Sequence, residues 1–161
     1  LTSKDVEAIE VYTSSRAMKS AGGIGPEPED KVGAQFSIHF SLAMTLVKGS
    51  NDFNTLLAVD LKDPELIRVA KKVRMIPDKE AEEKIEKGQL WARVEVVTKN
   101  ERRFSNAQYA KGTPENPMNQ EEVGKKARNL ALGVLPAKKV EQLIEQCRHL
   151  DEMKDVSELT R

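Results

Sequence analysis

His39 is the residue whose type and surroundings best suit acid–base chemistry. It lies in the segment Phe36–Val47, between Phe36 and Ala43 on one face of a predicted helix that is otherwise largely apolar. Burial there would lower the imidazole pKa and keep the ring neutral near pH 7, where it can accept or donate a proton. A hydrogen-bonded histidine of the core is the commoner alternative, and the sequence leaves both open.

Three cations lie in or beside two loops rich in Gly and Pro. Arg16 and Lys19 precede the loop Ala21–Asp30, and Lys111 precedes the loop Gly112–Pro117. Guanidinium and ammonium groups bind carboxylates through charge-assisted hydrogen bonds. We therefore predict Arg16, Lys19 and Lys111 as candidate carboxylate-binding residues.

The glycines at Gly22–Gly25 precede a helix, an arrangement that can present backbone N–H groups to an anion. The loop lacks the Gly-Lys-Ser/Thr ending of a P-loop and the spacing of a dinucleotide-binding fingerprint. A flexible connection between elements is therefore the favoured interpretation, and if the loop binds an anion, a carboxylate suits it as well as a phosphate.

Other chemistries find little support. His39, His149 and the single cysteine, Cys147, are separated in sequence and have no metal-ligand spacing, so no metal site is predicted. Cys147 falls on the predicted inner face of a helix, where a buried and unreactive thiol is expected. There is no Gly-x-Ser-x-Gly nucleophile motif. The residues alone therefore supply no assembled acid–base pair.

Composition narrows the class of protein. Of 161 residues, 26 are basic and 26 acidic, so the net charge is zero. Neither nucleic acid nor an anionic membrane is therefore an expected partner.

The sequence shows no targeting or membrane segment. The longest apolar stretch is too short and too interrupted to span a bilayer, and no signal peptide is visible. A single cysteine cannot form an intramolecular disulfide, which favours the cytoplasm. Because the first residue is Leu1, we expect the interior of a longer protein.

Periodicity predicts an α+β fold. Apolar residues alternate in strands and recur at three- and four-residue spacing in helices, with Gly49 stopping one helix and Asp63-Pro64 starting the next. We expect a small sheet of about four strands, including a hairpin, with helices packed on it. The predicted elements are a strand at Val6–Thr13, the helix at Phe36–Val47, a helix from Asp63, a strand at Val73–Pro77, a helix at Lys79–Lys87, and hairpin strands at Leu90–Val97 and Arg102–Tyr109.

A helical tail follows the predicted sheet. Asn119 and Glu122 have the spacing of a capping box, and two amphipathic helices are expected after it. The predicted inward residues are Val123, Ala127, Leu130 and Val134 on the first helix and Val140, Leu143, Ile144 and Cys147 on the second. We predict two domains, an α+β domain over 1–111 and C-terminal helices over 112–161 that need a further surface to pack on.

Five segments together resemble the MmgE/PrpD family. The string AQFSIHFSLAMTLVKGS at Ala34–Ser50 is similar to the family signature, in which Ala-x-Phe-Ser is followed by an aromatic residue, small residues and a closing Gly. Further similar blocks occur in the family's order, so the resemblance covers essentially the whole chain. These blocks are Asp5–Ser14, Leu61–Asp78, Tyr109–Ala131 and Leu150–Thr160.

The resemblance implies a fold and an activity. Family members have a large helical domain and a smaller α+β lid, with the active site between them. They dehydrate, decarboxylate or isomerise small polycarboxylates such as 2-methylcitrate, citrate, cis-aconitate or iminodisuccinate, with no metal or organic cofactor, and are usually dimers. This chain would be the C-terminal part containing the lid, with its partner helical domain and most acid–base residues upstream. The alternative is a non-catalytic lid module that binds a ligand or partner.

One position departs from the family pattern. The family often has Tyr three residues after the Ser of the signature, and here Phe40 occupies that position. Phe cannot donate a hydrogen bond, so the neighbouring His39 is a candidate substitute. The resemblance implies that Ser37, His39 and Phe40 line the cleft, and the departure favours a divergent substrate or an inactive homologue.

Overall fold

A computed structural model describes residues 2–100 and 103–160. The chain divides into two compact units, unit 1 (Leu1–Asn116) and unit 2 (Pro117–Arg161). The predicted boundary lies five residues earlier, and the assignment of functional domains to 1–111 and 112–161 stays a prediction. The strands are β1 (Val6–Thr13), β2 (Val73–Pro77), β3 (Trp91–Thr98) and β4 (Arg103–Tyr109), and the helices are α1 (Ser15–Lys19), α2 (Lys31–Phe36), α3 (Ile38–Lys48), α4 (Phe53–Ala58), α5 (Pro64–Ala70), α6 (Lys79–Glu86), α7 (Gln120–Ala131) and α8 (Ala137–Arg148).

The four strands form one mixed sheet in the order β2-β1-β3-β4. β1 pairs in parallel with β2 and antiparallel with β3, and β3 and β4 form the predicted hairpin. Ile9 and Val11 on β1 lie beside Val94 and Val96 on β3, and all four belong to or pack against the core of unit 1. The predicted α+β fold with a small sheet of four strands is therefore confirmed; Arg102, the predicted first residue of β4, lies outside the described residues.

Helices α3 and α5 supply much of the core of unit 1. Phe40 and Met44 on α3 and Leu66 and Val69 on α5 are at most 1% exposed. Each such side chain contributes on the order of 2 kcal/mol through removal of its apolar surface from water.

The predicted helix Phe36–Val47 is instead broken after Phe36. Phe36 ends α2, and α3 begins at Ile38, because Ser37 has an extended backbone and its side chain accepts a hydrogen bond from the Phe40 N–H. The break turns Phe36 to the surface of unit 1, where it is 58% exposed. The expectation that Phe36 belongs to the buried face of this helix was therefore wrong.

Local signals correctly placed several helix ends. Gly49 closes α3 in the left-handed conformation with φ of +78°, which a side chain would disfavour. Asp63 caps α5 through the Glu65 and Leu66 N–H groups, with Pro64 in the first turn. These ends depend on contacts within a few residues, so the sequence predicts them well.

Unit 2 is a helical hairpin followed by two short 3-10 segments, Leu150–Glu152 and Val156–Thr160. The predicted capping box of Asn119 and Glu122 opens α7. Arg128 on α7 makes a two-pronged ion pair with Glu141 on α8, at 2.6 and 2.8 Å. These contacts fix the two helices against each other.

The predicted inner faces of α7 and α8 are only partly covered within unit 2. Val140 and Ile144 are buried, whereas Val123 and Leu130 are about half exposed and Val134, which lies beyond α7, is 83% exposed. Cys147 is also exposed, so the prediction of a buried thiol was wrong. The interface between two helices is narrow, so it cannot cover a wide apolar face on both α7 and α8.

The end of α8 carries a charge-sensitive contact. His149 Nε2 lies 3.2 Å from Glu145 Oε1, and His149 Nδ1 lies 3.3 Å from Glu152 Oε1. The hydrogen bond to Glu152 and the charges of both carboxylates raise the His149 pKa above its ordinary value of 6.5. Protonated His149 therefore stabilises the folded state below pH 6.5, and this contribution is lost as pH rises through the raised pKa.

We expect His149→Gln to be more destabilising near pH 5.5 than near pH 9. At about pH 5.5 His149 is protonated, because its pKa is raised above 6.5. The measurement is urea unfolding of the wild type and the variant at low ionic strength across this range. A difference that does not depend on pH would contradict the assigned contact.

Candidate functional site

The first turn of α3 is tied to the preceding glycine-rich loop. The Ser37 hydroxyl donates a hydrogen bond to the Gly25 carbonyl and accepts one from the Phe40 N–H, at 3.1 Å. The Ile38 N–H donates to the Ala21 carbonyl at 3.3 Å. Because Ala21 follows α1 closely, these bonds bring the end of α1 next to the start of α3.

The loop conformation requires glycine at particular positions. A Cβ on Gly22 would lie 2.7 Å from the Met18 carbonyl oxygen, closer than such atoms approach in proteins, and Gly25 has a φ of +74°. A substitution at either position would strain or move the loop. The conformation of the loop therefore depends on glycine at both positions, and its role as a connection or an anion site stays a prediction.

His39 is the second residue of α3 and its side chain is half-buried. Its Nδ1 atom is buried, and no hydrogen-bond partner for it lies among residues 2–100 and 103–160. Burial lowers the His39 pKa below its ordinary value of 6.5, and the positive end of the helix dipole acts in the same direction. The imidazole is therefore neutral near pH 7, and within the described chain it lacks the hydrogen bond expected of an ordinary core histidine.

Ser37 and Phe40 lie on the same turn but face the interior of unit 1. Both side chains are 0% exposed, and Phe40 packs in the core cluster that includes Ala43 and Met44. Of the three residues predicted to line a cleft, His39 is the one with a partly exposed side chain in unit 1. This placement leaves the predicted site roles of Ser37 and Phe40 as predictions.

The predicted carboxylate-binding cations lie on two different segments. Arg16 and Lys19 are exposed on α1, beside the loop that contacts α3. Lys111 follows β4, where its Nζ lies 3.5 Å from Asn116 Oδ1. Arg16 and Lys19 therefore lie on the helix that precedes the loop bonded to the His39 turn, and Lys111 lies on a separate loop of unit 1. Their predicted roles in carboxylate binding stay predictions.

A polar network on the other face of the sheet escaped the sequence predictions. Arg103 Nη1 lies 2.9 Å from Glu10 Oε2 and 2.6 Å from Glu95 Oε2, and so joins three strands. The Arg93 guanidinium lies 3.7 Å from the centroid of the Tyr12 ring and also pairs with Glu95. In the sequence, this network could have been recognised from charged residues at every second position of the strands. Because the carboxylates are paired with arginines, this network stabilises the strand register.

The structure also bears on metal and membrane binding. Among residues 2–100 and 103–160, no three His, Cys, Asp or Glu side chains are grouped closely enough to hold a metal ion. No helix in that part of the chain combines the length and apolar character needed to cross a bilayer. The expected absence of metal and organic cofactors stays a prediction.

Unit 1 is thus an α+β domain in which burial lowers the pKa of His39, near the start of a core helix. The buried Nδ1 of this histidine has no hydrogen-bond partner among residues 2–100 and 103–160. The family model described as the MmgE/PrpD C-terminal domain matches residues 1–151. The chain therefore belongs to the MmgE/PrpD family, in agreement with the resemblance of its sequence blocks. No curated protein matches this chain.

Proposed function

We propose that this chain is the lid-containing C-terminal part of a cofactor-independent lyase or isomerase that acts on small polycarboxylates such as 2-methylcitrate, citrate or cis-aconitate. The match of residues 1–151 to the family's C-terminal domain carries this proposal. The half-buried imidazole of His39, whose Nδ1 has no partner in the described chain, supports an acid–base role. The complete protein is proposed to be a cytoplasmic homodimer.

The proposed chemistry moves a proton at a carbon next to a carboxylate. A base removes this proton, and the electron pair left on carbon is delocalised into the carboxylate, whose oxygens gain negative charge. In a dehydration the pair then expels hydroxide, which leaves as water after protonation; in an epimerisation a proton returns to the opposite face of the same carbon. Both outcomes conserve atoms and charge and need no redox partner.

Each named residue of this chain has a proposed role. His39 accepts or donates the proton, for which its lowered pKa is suitable because the neutral ring is available near pH 7. Arg16, Lys19 and Lys111 neutralise substrate carboxylates. The remaining acid–base residues are proposed to lie in an upstream helical domain, over which unit 1 closes.

Unit 2 offers a surface on which the upstream domain could dock. Between α7 and α8 lies a groove of about 490 Å³. Its walls are mostly apolar, with Arg148 and Gln120 among the polar groups. The apolar lining includes Met118, Val123, Ala127, Leu143 and Ile144. Unpartnered apolar surface of this kind marks an interaction site, and we propose that a helix of the upstream domain covers it.

We expect Val123→Glu to weaken docking of the upstream domain while having little effect on the folding of the 161-residue chain. Val123 is 52% exposed, so in the 161-residue chain the substitution should change the free energy of unfolding by only about 0.5 kcal/mol. In the full-length gene product a buried carboxylate in the docked groove should lower the melting temperature by several degrees, on the order of 2–4 °C per kcal/mol lost. Thermal unfolding of both proteins measures this.

Gln142→Glu is the matched control for that experiment. Gln142 is exposed on α8, outside the residues that line the groove, and the substitution adds the same charge. We expect it to leave both melting temperatures nearly unchanged. Equal effects of Val123→Glu on the short chain and on the gene product would exclude docking at this groove.

The direct test of the proposed activity uses the full-length gene product. Its intact mass is measured first, and it is then incubated with 2-methylcitrate, citrate, cis-aconitate and iminodisuccinate, with and without EDTA. We expect loss of at least one substrate at a rate that EDTA does not change. A product of about 161 residues, or no turnover of any of the four, would reject the enzyme and favour the non-catalytic lid module.

A further inference from the structure

Ser37 is the most completely enclosed polar side chain near His39. It is 0% exposed, and its single hydroxyl joins two segments, since it accepts from the Phe40 N–H and donates to the Gly25 carbonyl. A serine that only capped a helix would need the first of these bonds. The second bond fastens the glycine-rich loop to the turn that carries His39.

The loop is attached to the same turn at a second point. The Ile38 N–H donates to the Ala21 carbonyl, so the loop is held by Ile38 at Ala21 and by Ser37 at Gly25. His39 follows these two anchoring residues directly. Release of the Ser37 bond would free one end of the loop next to the histidine.

The charged groups near this turn do not account for the lowered pKa of His39. Glu27 in the loop pairs with Lys71 at 2.6 Å, and Asp30 is engaged at the start of α2, where it accepts from the Gly33 N–H. Arg16 and Lys19 lie on the adjoining α1. The cause that lowers the His39 pKa is burial, so a change in the packing around the turn should alter it directly.

We propose that Ser37 is a positioning residue, whose hydroxyl holds the glycine-rich loop against the first turn of α3 and so maintains the enclosed environment of His39. The inference rests on the proposed function, because it gives His39 the acid–base role. Ser37 itself does not contact substrate in this arrangement; it acts through the histidine.

The test is an NMR titration of the imidazole signals in the 161-residue chain, with His39 and His149 assigned by substitution of each. In Ser37→Ala the loop anchor is lost, water reaches the ring, and the His39 pKa should rise toward 6.5. Ser37→Thr keeps the hydroxyl and should keep the lowered pKa. His149, which lies in unit 2, should titrate identically in all variants and serves as the internal reference.

Two further variants keep the test decisive. Ser37→Gly removes the hydroxyl but retains a residue that is tolerated at helix N-caps, so it replaces Ser37→Ala if that variant does not fold. Asp52→Ala removes the cap of α4, a bond to the Thr55 N–H at 2.8 Å, and should leave the His39 pKa unchanged. Folded Ser37→Ala or Ser37→Gly with a wild-type His39 titration would overturn the proposal, as would an equal shift in Asp52→Ala.

Kinetic measurements on the full-length gene product distinguish failure of this inference from failure of the proposed function. There, Ser37→Ala should move the acidic limb of the kcat–pH profile toward higher pH, with KM changed less than kcat. A gene product without activity would reject the proposed function, while the titration in the short chain would still decide whether Ser37 positions His39. An active Ser37→Ala enzyme with an unchanged pH profile would reject the positioning role alone.

Discussion

Replacement of His39 by alanine is expected to lower turnover of the proposed full-length enzyme at least about tenfold, and by about 10²–10⁴-fold if His39 is the principal acid or base. The change removes the imidazole that burial keeps neutral. Stability should change little, because the side chain is only half-buried and its Nδ1 makes no hydrogen bond within the described chain. Steady-state kinetics and urea unfolding of the same preparations measure the two effects.

His149→Ala is the control for this experiment. His149 is exposed in unit 2 and its ring pairs with Glu145 and Glu152, so its loss should leave turnover near the wild-type value. If His39→Ala retained turnover but lost much of its stability, His39 would be a core residue and the acid–base role would have to be assigned elsewhere.

Replacement of Phe40 by alanine is expected to destabilise the 161-residue chain by about 3–5 kcal/mol. Phe40 is 0% exposed and packs with Ala43 and Met44, so truncation would leave a cavity as well as lose buried apolar surface. This cost is a large part of the stability of a small domain. Urea unfolding followed by the single tryptophan, Trp91, measures it.

Phe53→Ala is the matched control, since Phe53 is 48% exposed on the short helix α4 and its truncation should lower the free energy of unfolding markedly less.

Phe40→Tyr examines directly the position at which this chain departs from the family pattern. A hydroxyl buried there without a partner should cost about 1–3 kcal/mol. A Phe40→Tyr enzyme that is fully stable and faster than wild type would instead mean that position 40 faces the substrate when the complete protein closes.

Much of the fold could be predicted because its signals are local. β1 and β2 match their predicted ranges, since alternation of apolar residues and the breakers around them act over a few positions. Gly49, Asp63 and the Asn119 capping box likewise need only neighbouring residues. The break at Ser37 was missed because apolar periodicity continues through it, although the Ser37 cap on the Phe40 N–H is a local contact. The bond from Ser37 to Gly25, twelve residues away, leaves no such local signal.

The sequence indicates candidate site residues by their type, whereas their arrangement depends on the structure. His39 was singled out because a histidine is unusual on an apolar helix, but its missing hydrogen bond depends on the surrounding structure. The burial of Ser37 and Phe40 depends on which way the short helix turns after the break. The pairing of Arg103 with Glu10 and Glu95 depends on strand register, which alternation alone does not fix.

The central place of β1 in the sheet has a consequence for biosynthesis. β1 pairs on one side with β2 and on the other with β3, yet some sixty residues separate its end at Thr13 from the start of β2 at Val73. At about 5–20 residues per second the ribosome would need several seconds to deliver that first partner. Until then the strand has both backbone edges unpaired, and Glu7 and Glu10 within it supply the like charges that discourage nascent chains from pairing with one another.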